Sequence, residues 1–330
     1  MLDVRRLRLL SDLARLGTIA AVAQAHTYTP SAVSQQLSAL EREAGVPLLE
    51  RTGRRVALTP AGRVLVEHAG TVLAALERTT AALAAVATGL SGPLRIGAFP
   101  SAVRTLLPST LVALGRQHPG LELMVTELDP VAVPAALRER QLDVGLLHDY
   151  DVVPVKPDPM LDTVSLLDET VFLAVPDTAP TIGRVDPLPD VQDAAWIMAS
   201  SGTLCHTVTL HVCRSAGFTP RARHHTDDFA TVLALVAAGQ GVSLVPQLAA
   251  AHPPVGVRLF PLDTRRRTRV AYRRGAAAHP AVAAFVAAIR DSVGAFTDQD
   301  APGSRPPGDH AARPPRRMPV TRRTVGHAGE

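Results

Sequence analysis

With 330 residues, 46% of them hydrophobic and 19% charged, the chain is long enough for two or more packed domains and too apolar for a disordered protein. The formal net charge is +4 and Lys156 is the only lysine, so arginine carries the positive charge, and its planar fork suits phosphates and base edges. Only Cys205 and Cys213 are present, which excludes a disulfide framework and leaves no cysteine pair at metal-ligand spacing.

The first eight residues alternate charge with leucine, and no uninterrupted apolar run approaches about 20 residues, so a cytoplasmic chain without a membrane partner is expected. Leu2, Leu9, Leu13 and Leu16 fall on one side of a helical wheel, and Gly17 closes that helix. Thr18 caps a short alanine-rich helix over about 19–26, a turn follows at Thr27 and Tyr28, and Thr29-Pro30 starts a third helix. There Val33, Leu37 and Leu40 form the apolar stripe, while Ser31, Ser34, Gln35, Ser38 and Arg42 share the opposite face. An ordinary solvated face would carry Glu and Lys; short Ser and Gln side chains instead approach base edges in the major groove. Residues 48–58 read as a β-hairpin around Gly53. Its Arg51, Arg54 and Arg55 suit a wing that grips phosphates beside the groove.

The ordered set of Ala20 to Ala23, Tyr28 through Glu41 (YTPSAVSQQLSALE), Pro47 to Arg51 (PLLER) and Leu58 to Gly62 (LTPAG) resembles the N-terminal signature of LysR-type transcriptional regulators. The resemblance implies a winged helix-turn-helix in which Thr29, Pro30, Ser34 and Gln35 contact DNA and Arg51 lies in the wing. Gln35 stands where many members have arginine, so the preferred base is left open.

Thr59-Pro60 begins another helix, expected over about 60–88, in which Leu65, Ala69, Val72, Leu76, Thr79, Leu83 and Val86 are spaced alternately by four and three, a coiled-coil seam. By pattern the seam serves either dimerisation or packing within the chain; the resemblance implies a homodimer or homotetramer that presents paired reading helices to a near-palindromic double-stranded operator. From Pro93 apolar strands alternate with helices: 94–98, 121–128, 143–147, 170–175, 196–199, 242–245 and 257–262 read as strands of a largely parallel α/β sheet. Similarity to the family, looser here, implies two periplasmic-binding-protein-like lobes crossed twice by the chain, with a small-molecule effector between them. It places the pocket at Phe99, Ser101, Ala102, Asp129, His148, Ser200, Gly202, Thr203 and Thr226. Ser101 and Thr203 stand at helix starts, where their hydroxyls either receive an anionic effector or merely cap the helix.

A peroxide-sensing branch of this family uses two cysteines in the corresponding region; here the spacing is one residue shorter. On one helix Cys205 and Cys213 would stand about 12 Å apart by rise, beyond disulfide reach. His224 and His225 would bind a metal only with a third ligand, and no motif supplies one. No cofactor is expected.

The expected architecture is an α/β multidomain chain: a winged helix-turn-helix over 1–58, a linker helix over 59–90, and a two-lobed effector domain over 91–296. Lobe I takes about 91–165 and 267–296, and lobe II about 166–266. A Pro-, Gly- and Arg-rich tail over 297–330, with Arg305, Arg313, Arg316, Arg317, Arg322 and Arg323, is expected to be disordered. The rival class is an α/β enzyme or a solute-binding protein with a helical dimerisation cap. Neither a G-x-S-x-G elbow, a Gly-rich phosphate loop, H-E-x-x-H nor C-x-x-C is present to support catalysis.

Overall fold

The computed structural model describes residues 1–52, 55–86, 89–180, 182–183 and 185–300, with the side chains of 51–55, 299 and 300 excluded. Helix α1 (Val4–Leu16) starts at Asp3, whose carboxylate accepts from Arg5 N and Arg6 N, and ends on Gly17 at φ 75°. Leu2 therefore lies outside the helix and is exposed, and Leu7, Leu9, Leu10 and Leu13 make the buried stripe. Helix α2 (Ile19–Ala25) is capped by Thr18. Helix α3 (Pro30–Ala44) is capped by Thr29, carries Pro30 in its first turn and ends on Gly45 at φ 72°. Strands β1 (Leu49–Thr52) and β2 (Arg55–Leu58) pair antiparallel. Leu10, Val22, Val33, Leu37, Leu40 and Leu48 enclose one small core.

Helix α4 (Pro60–Val86) serves two partners. Ala69 packs into the N-terminal core with Leu65 beside it, and Leu73, Glu77 and Ala81 are buried against the chain. Val72, Leu76, Leu83 and Val86 are exposed, by 42, 39, 70 and 82%. The seam read from the sequence is thus split: its first members are used internally and the later ones face outward.

The remaining elements, in chain order, are β3 (Ser91–Ala98), α5 (Pro100–Thr105), α6 (Leu107–Gln117), β4 (Gly120–Glu127), α7 (Val133–Arg138), β5 (Val144–Tyr150) and β6 (Leu161–Pro176). They continue with β7 (Ala195–Met198), α8 (Leu204–Ser215), β8 (Arg221–His225), α9 (Phe229–Ala237), β9 (Ser243–Pro246), α10 (Gln247–Ala250), β10 (Val257–Arg273) and α11 (Pro280–Asp300). One six-stranded sheet has the order β4-β3-β5-β10-β6-β9, and β7 and β8 form a small parallel sheet.

The expectation of a largely parallel sheet is corrected. Within the six-stranded sheet only β3 with β4 and β3 with β5 run parallel, whereas β10 with β5, β10 with β6, and β6 with β9 are antiparallel. The cause is the length of β6 and β10, 16 and 17 residues, which run from one lobe into the other as an antiparallel pair. Leu173 and Val175 of β6 sit in one core with Trp196, while Val270 and Tyr272 of β10 sit in another with Phe285 and Ile289.

Helix α11 continues through Asp300, beyond the start expected for the tail at 297; residues 301–330, with the tail arginines, lie outside the described residues. By length and composition α4 and α11 are each apolar enough to cross a membrane. However, α11 buries Phe285 and Ile289 completely in the lobe I core.

Candidate DNA-reading face and inter-lobe pocket

Along α3 the side chains of Thr29, Pro30, Ser31, Gln35 and Ser38 are exposed on one face and Ser34 is half-buried, opposite the buried Val33, Leu37 and Leu40. Thr29 Oγ1 accepts from Ala32 N at 3.2 Å and lies 3.0 Å from Ser31 Oγ. A residue not singled out in the sequence fixes the hairpin to this helix. Glu41 Oε1 accepts from Leu48 N at 2.9 Å and Leu49 N at 3.0 Å, so the last turn of α3 holds the start of β1. Thr59 Oγ1 donates to Pro47 O at 2.8 Å and accepts from Gly62 N at 3.0 Å. Gly62 is required there, because a Cβ would stand 2.2 Å from Leu48 O. By register Arg51 faces Val56 and Arg55 faces Thr52 across the hairpin, and Arg54 lies outside the described residues.

Between the lobes lies a cavity of about 280 Å³. Phe99, Ser101, Asp129, His148, Thr203 and Thr226 line it. Ala102 is buried in the lobe I core, and Ser200 holds Asp227 through its N–H and hydroxyl, at 2.8 and 2.7 Å. Gly202 lines a neighbouring cavity of about 510 Å³ that shares Asp129, His148, Thr203 and Cys205 with the first. Thr203 Oγ1 caps α8 by accepting from His206 N and donates to Ser200 O, so its hydroxyl is already used. Ser101 caps nothing; its Oγ accepts from Arg266 Nη2 at 3.3 Å.

Arg266, in the middle of β10, is the central group that the sequence did not reveal. Its side chain and that of Glu169 on β6 are both 0% exposed. Arg266 Nε donates to Glu169 Oε1 at 2.9 Å and Nη2 donates to Oε2 at 2.7 Å. Thr268 Oγ1 and Leu248 N complete the four donors around that carboxylate. The guanidinium lies 4.9 Å from the centre of the Phe99 ring, and Nη1 has no hydrogen-bond partner. Burial opposes its charge, but Glu169 more than offsets this and raises its pKa.

His148 is edge-on to Phe99 and Tyr150. Burial, then the charge of Arg266, holds its pKa well below 6.5, so it is a neutral imidazole, and its Nδ1 has no partner. The floor of the pocket thus offers one buried N–H donor and one neutral ring to a ligand. Arg104 of α5 reaches across the lobes to Asp228, the cap of α9, at 2.6 Å.

Both cysteines lie on α8. Burial raises the pKa of Cys205, whose Sγ is 3.7 Å from Tyr150 Oη, and pushes Cys213 up to about 12. Among the described residues no group of three His, Cys, Asp or Glu side chains is placed to hold a metal ion.

The family profile described as "Bacterial regulatory helix-turn-helix protein, lysR family" matches residues 4–63, and that described as "LysR substrate binding domain" matches residues 87–294. The chain is 32% identical over 258 residues to the DNA-binding transcriptional dual regulator OxyR of Escherichia coli strain K12, spanning 76% of this chain and 82% of that one. It is 35% identical over 221 residues, 66% of this chain and 70% of the relative, to a probable hydrogen peroxide-inducible genes activator of Mycobacterium avium. Among solved structures, a Corynebacterium glutamicum OxyR C206 mutant aligns with a TM-score of 0.55 at 26% identity, covering 91% of this chain and 95% of that one. With an N-terminal helix-turn-helix, a long helix and a C-terminal α/β substrate-binding domain, the chain belongs to the LysR family and is a DNA-binding transcription regulator, not an enzyme.

Proposed function

We propose that a cytoplasmic homodimer or homotetramer of this chain reads a near-palindromic operator and is switched by an anionic small molecule bound between the lobes. The reading assigns DNA binding to 1–58, the linker to 59–90 and effector binding to 91–296, lobe II being the middle segment of about 166–266. Thr29, Pro30, Ser31, Ser34, Gln35 and Ser38 meet the groove, and Arg51, Arg54 and Arg55 hold phosphates on its edge. The exposed Val72, Leu76, Leu83 and Val86 on α4 support pairing through that helix.

The observation that carries the effector reading is Arg266 Nη1, a fully buried donor without a partner in the wall of the inter-lobe cavity. A buried N–H is costly to leave unsatisfied, so a carboxylate or other acceptor group that reached it would gain a charge-assisted hydrogen bond. An effector acts only by preferring one arrangement of the lobes, and the Arg104–Asp228 pair across them is the contact such a preference would bias.

Relatives carry the name hydrogen peroxide-inducible genes activator. A dithiol switch is disfavoured in this chain by two thiols raised above their usual pKa and set eight residues apart on one helix. The test is a comparison of Q35A/R51A with the wild-type chain. Operator binding is lost while ligand-induced stabilisation persists; loss of ligand response in a folded variant would contradict the division of labour.

A further inference from the structure

Where α1, α4 and lobe I meet, a cavity of about 480 Å³ opens with Val66, Leu73 and Met160 as its apolar floor and Arg8 and Arg273 in its wall. It is distinct from the inter-lobe pocket, and its walls come from both the DNA-reading and the effector-binding parts of the chain. Two features hold those parts together. Asp12 on α1, only 8% exposed, accepts from Arg15 at 2.9 Å, lies 2.8 Å from His26 Nε2 and is 3.6 Å from Arg138 of lobe I. Gly275, at φ +92°, lies against α4 so closely that a Cβ would stand 2.4 Å from Ala74 O.

The charges in the wall are unbalanced. Glu77, 7% exposed, takes a bond from Arg273 Nε at 3.2 Å and another from Arg140. Arg140, just past the end of α7, has φ 59°, a conformation uncommon outside glycine. Arg8 is half-buried; burial first, then Arg140 and Arg273, oppose its charge, and the carboxylates of Glu77 and Asp12 offset this only in part. Among the described residues it makes no hydrogen bond or ion pair. Three guanidinium groups therefore surround one carboxylate. At the other end Asp12 and Asp158 are already paired with arginine, and Glu67 is exposed.

We propose that this cavity is a second ligand site, which takes an amphipathic monoanion: a carboxylate on Arg8 with a short apolar body over Val66, Leu73 and Met160. A single negative charge fits, because Glu77 stands beside the surplus and would repel a dianion. Since both parts of the chain build the site, occupancy favours the arrangement in which α1 rests on lobe I, and so biases where the reading helix points.

The test uses the full chain, octanoate as probe, and octan-1-ol and inorganic phosphate as controls, with calorimetry and amide hydrogen exchange as readouts. Octanoate is expected to bind and to slow exchange in α1 and in the middle of α4. R8Q should weaken that binding by about tenfold with little change in Tm, since Arg8 makes no direct ion pair to lose and its attraction to Glu77 and Asp12 is opposed by Arg140 and Arg273. Gly70 lines the same cavity and has only Met160 Sδ, 3.8 Å away, near an added Cβ. G70L should therefore fill the space, abolish the protection and keep the fold, leucine being the better helix former. Unchanged octanoate binding in both variants, protection confined to the surroundings of Phe99 and Thr203, or octan-1-ol or phosphate binding as tightly as octanoate would each overturn the proposal. So would silence of the wild-type chain up to about 10 mM octanoate, a concentration weaker than any useful affinity.

Discussion

Glu169→Gln places a neutral amide where four donors converge. Both carboxylate oxygens of Glu169 are used, Oε1 by Arg266 Nε and Thr268 Oγ1, Oε2 by Arg266 Nη2 and Leu248 N. Any orientation of the glutamine turns its NH2 toward two donors and leaves the Arg266 charge uncompensated at 0% exposure. Breaking a buried ion pair by removing one partner costs about 3–5 kcal/mol, a large share of the roughly 5–15 kcal/mol that holds a domain folded. For an effector domain of this size that lowers Tm by about 10 °C. The double change E169L/R266M removes both charges and should recover more than half of the loss, because buried pairs replaced by apolar groups are often neutral or stabilising. Urea unfolding followed by the fluorescence of Trp196, the single tryptophan and fully buried, reads both variants. A cost below about 1 kcal/mol for E169Q would mean that the pair is hydrated and that Arg266 is not the desolvated donor described above.

Replacing Leu76 and Leu83 by aspartate puts charge on the exposed face of α4; with about 1.5–3 kcal/mol per leucine buried on pairing, the dimer should weaken by at least about 100-fold. Light scattering across a concentration series checks this, and an unchanged assembly would show that copies meet elsewhere. His148 is neutral in the folded state, its pKa being well below 6.5, and protonates in the unfolded chain as pH falls below about 6.5. The unfolded state then binds the extra proton, so stability is complete above that pH and declines below it by up to about 1.4 kcal/mol per unit. H148L should flatten the slope between about pH 5 and 6.5 relative to the wild type; parallel curves would show that His148 takes up its proton in the folded chain as readily as in the unfolded one. Glu41→Ala frees Leu48 N and Leu49 N and loosens the hairpin. Operator affinity should fall by about tenfold, about 1.4 kcal/mol, without a change in sequence preference, and a changed preference would place Glu41 at the bases.

The helix-turn-helix was legible because its punctuation is local: Thr18, Thr29, Gly17 and Gly45 cap or end the helices they flank. Strand β3 was visible from its apolar run. Strand β8, Arg-Ala-Arg-His-His, has no apolar signal and was missed, as were the polar first half of β6 and the arginine-rich second half of β10. Those halves carry the antiparallel crossing and thereby the pocket. Arg266 sits within Arg265-Arg266-Arg267, a run that reads as solvated charge. What buries it is Glu169, 97 residues earlier, and nothing local in the sequence encodes that meeting. Phe99, Ser101, Asp129, His148, Thr203 and Thr226, which the family resemblance rather than any local pattern pointed to, line the cavity, whereas Ala102 and Ser200 turn to neighbouring structure.

Sequence reading by α3 of a paired chain is the central property to test. Duplex DNA selected from a random pool by the full-length protein at near-physiological salt, then sequenced, measures it. The expected result is an inverted repeat with half-sites about one helical turn apart, lost in Q35A. Retention of DNA without a shared motif would mean that arginine binds phosphate alone, and would contradict the role given to Ser34, Gln35 and Ser38.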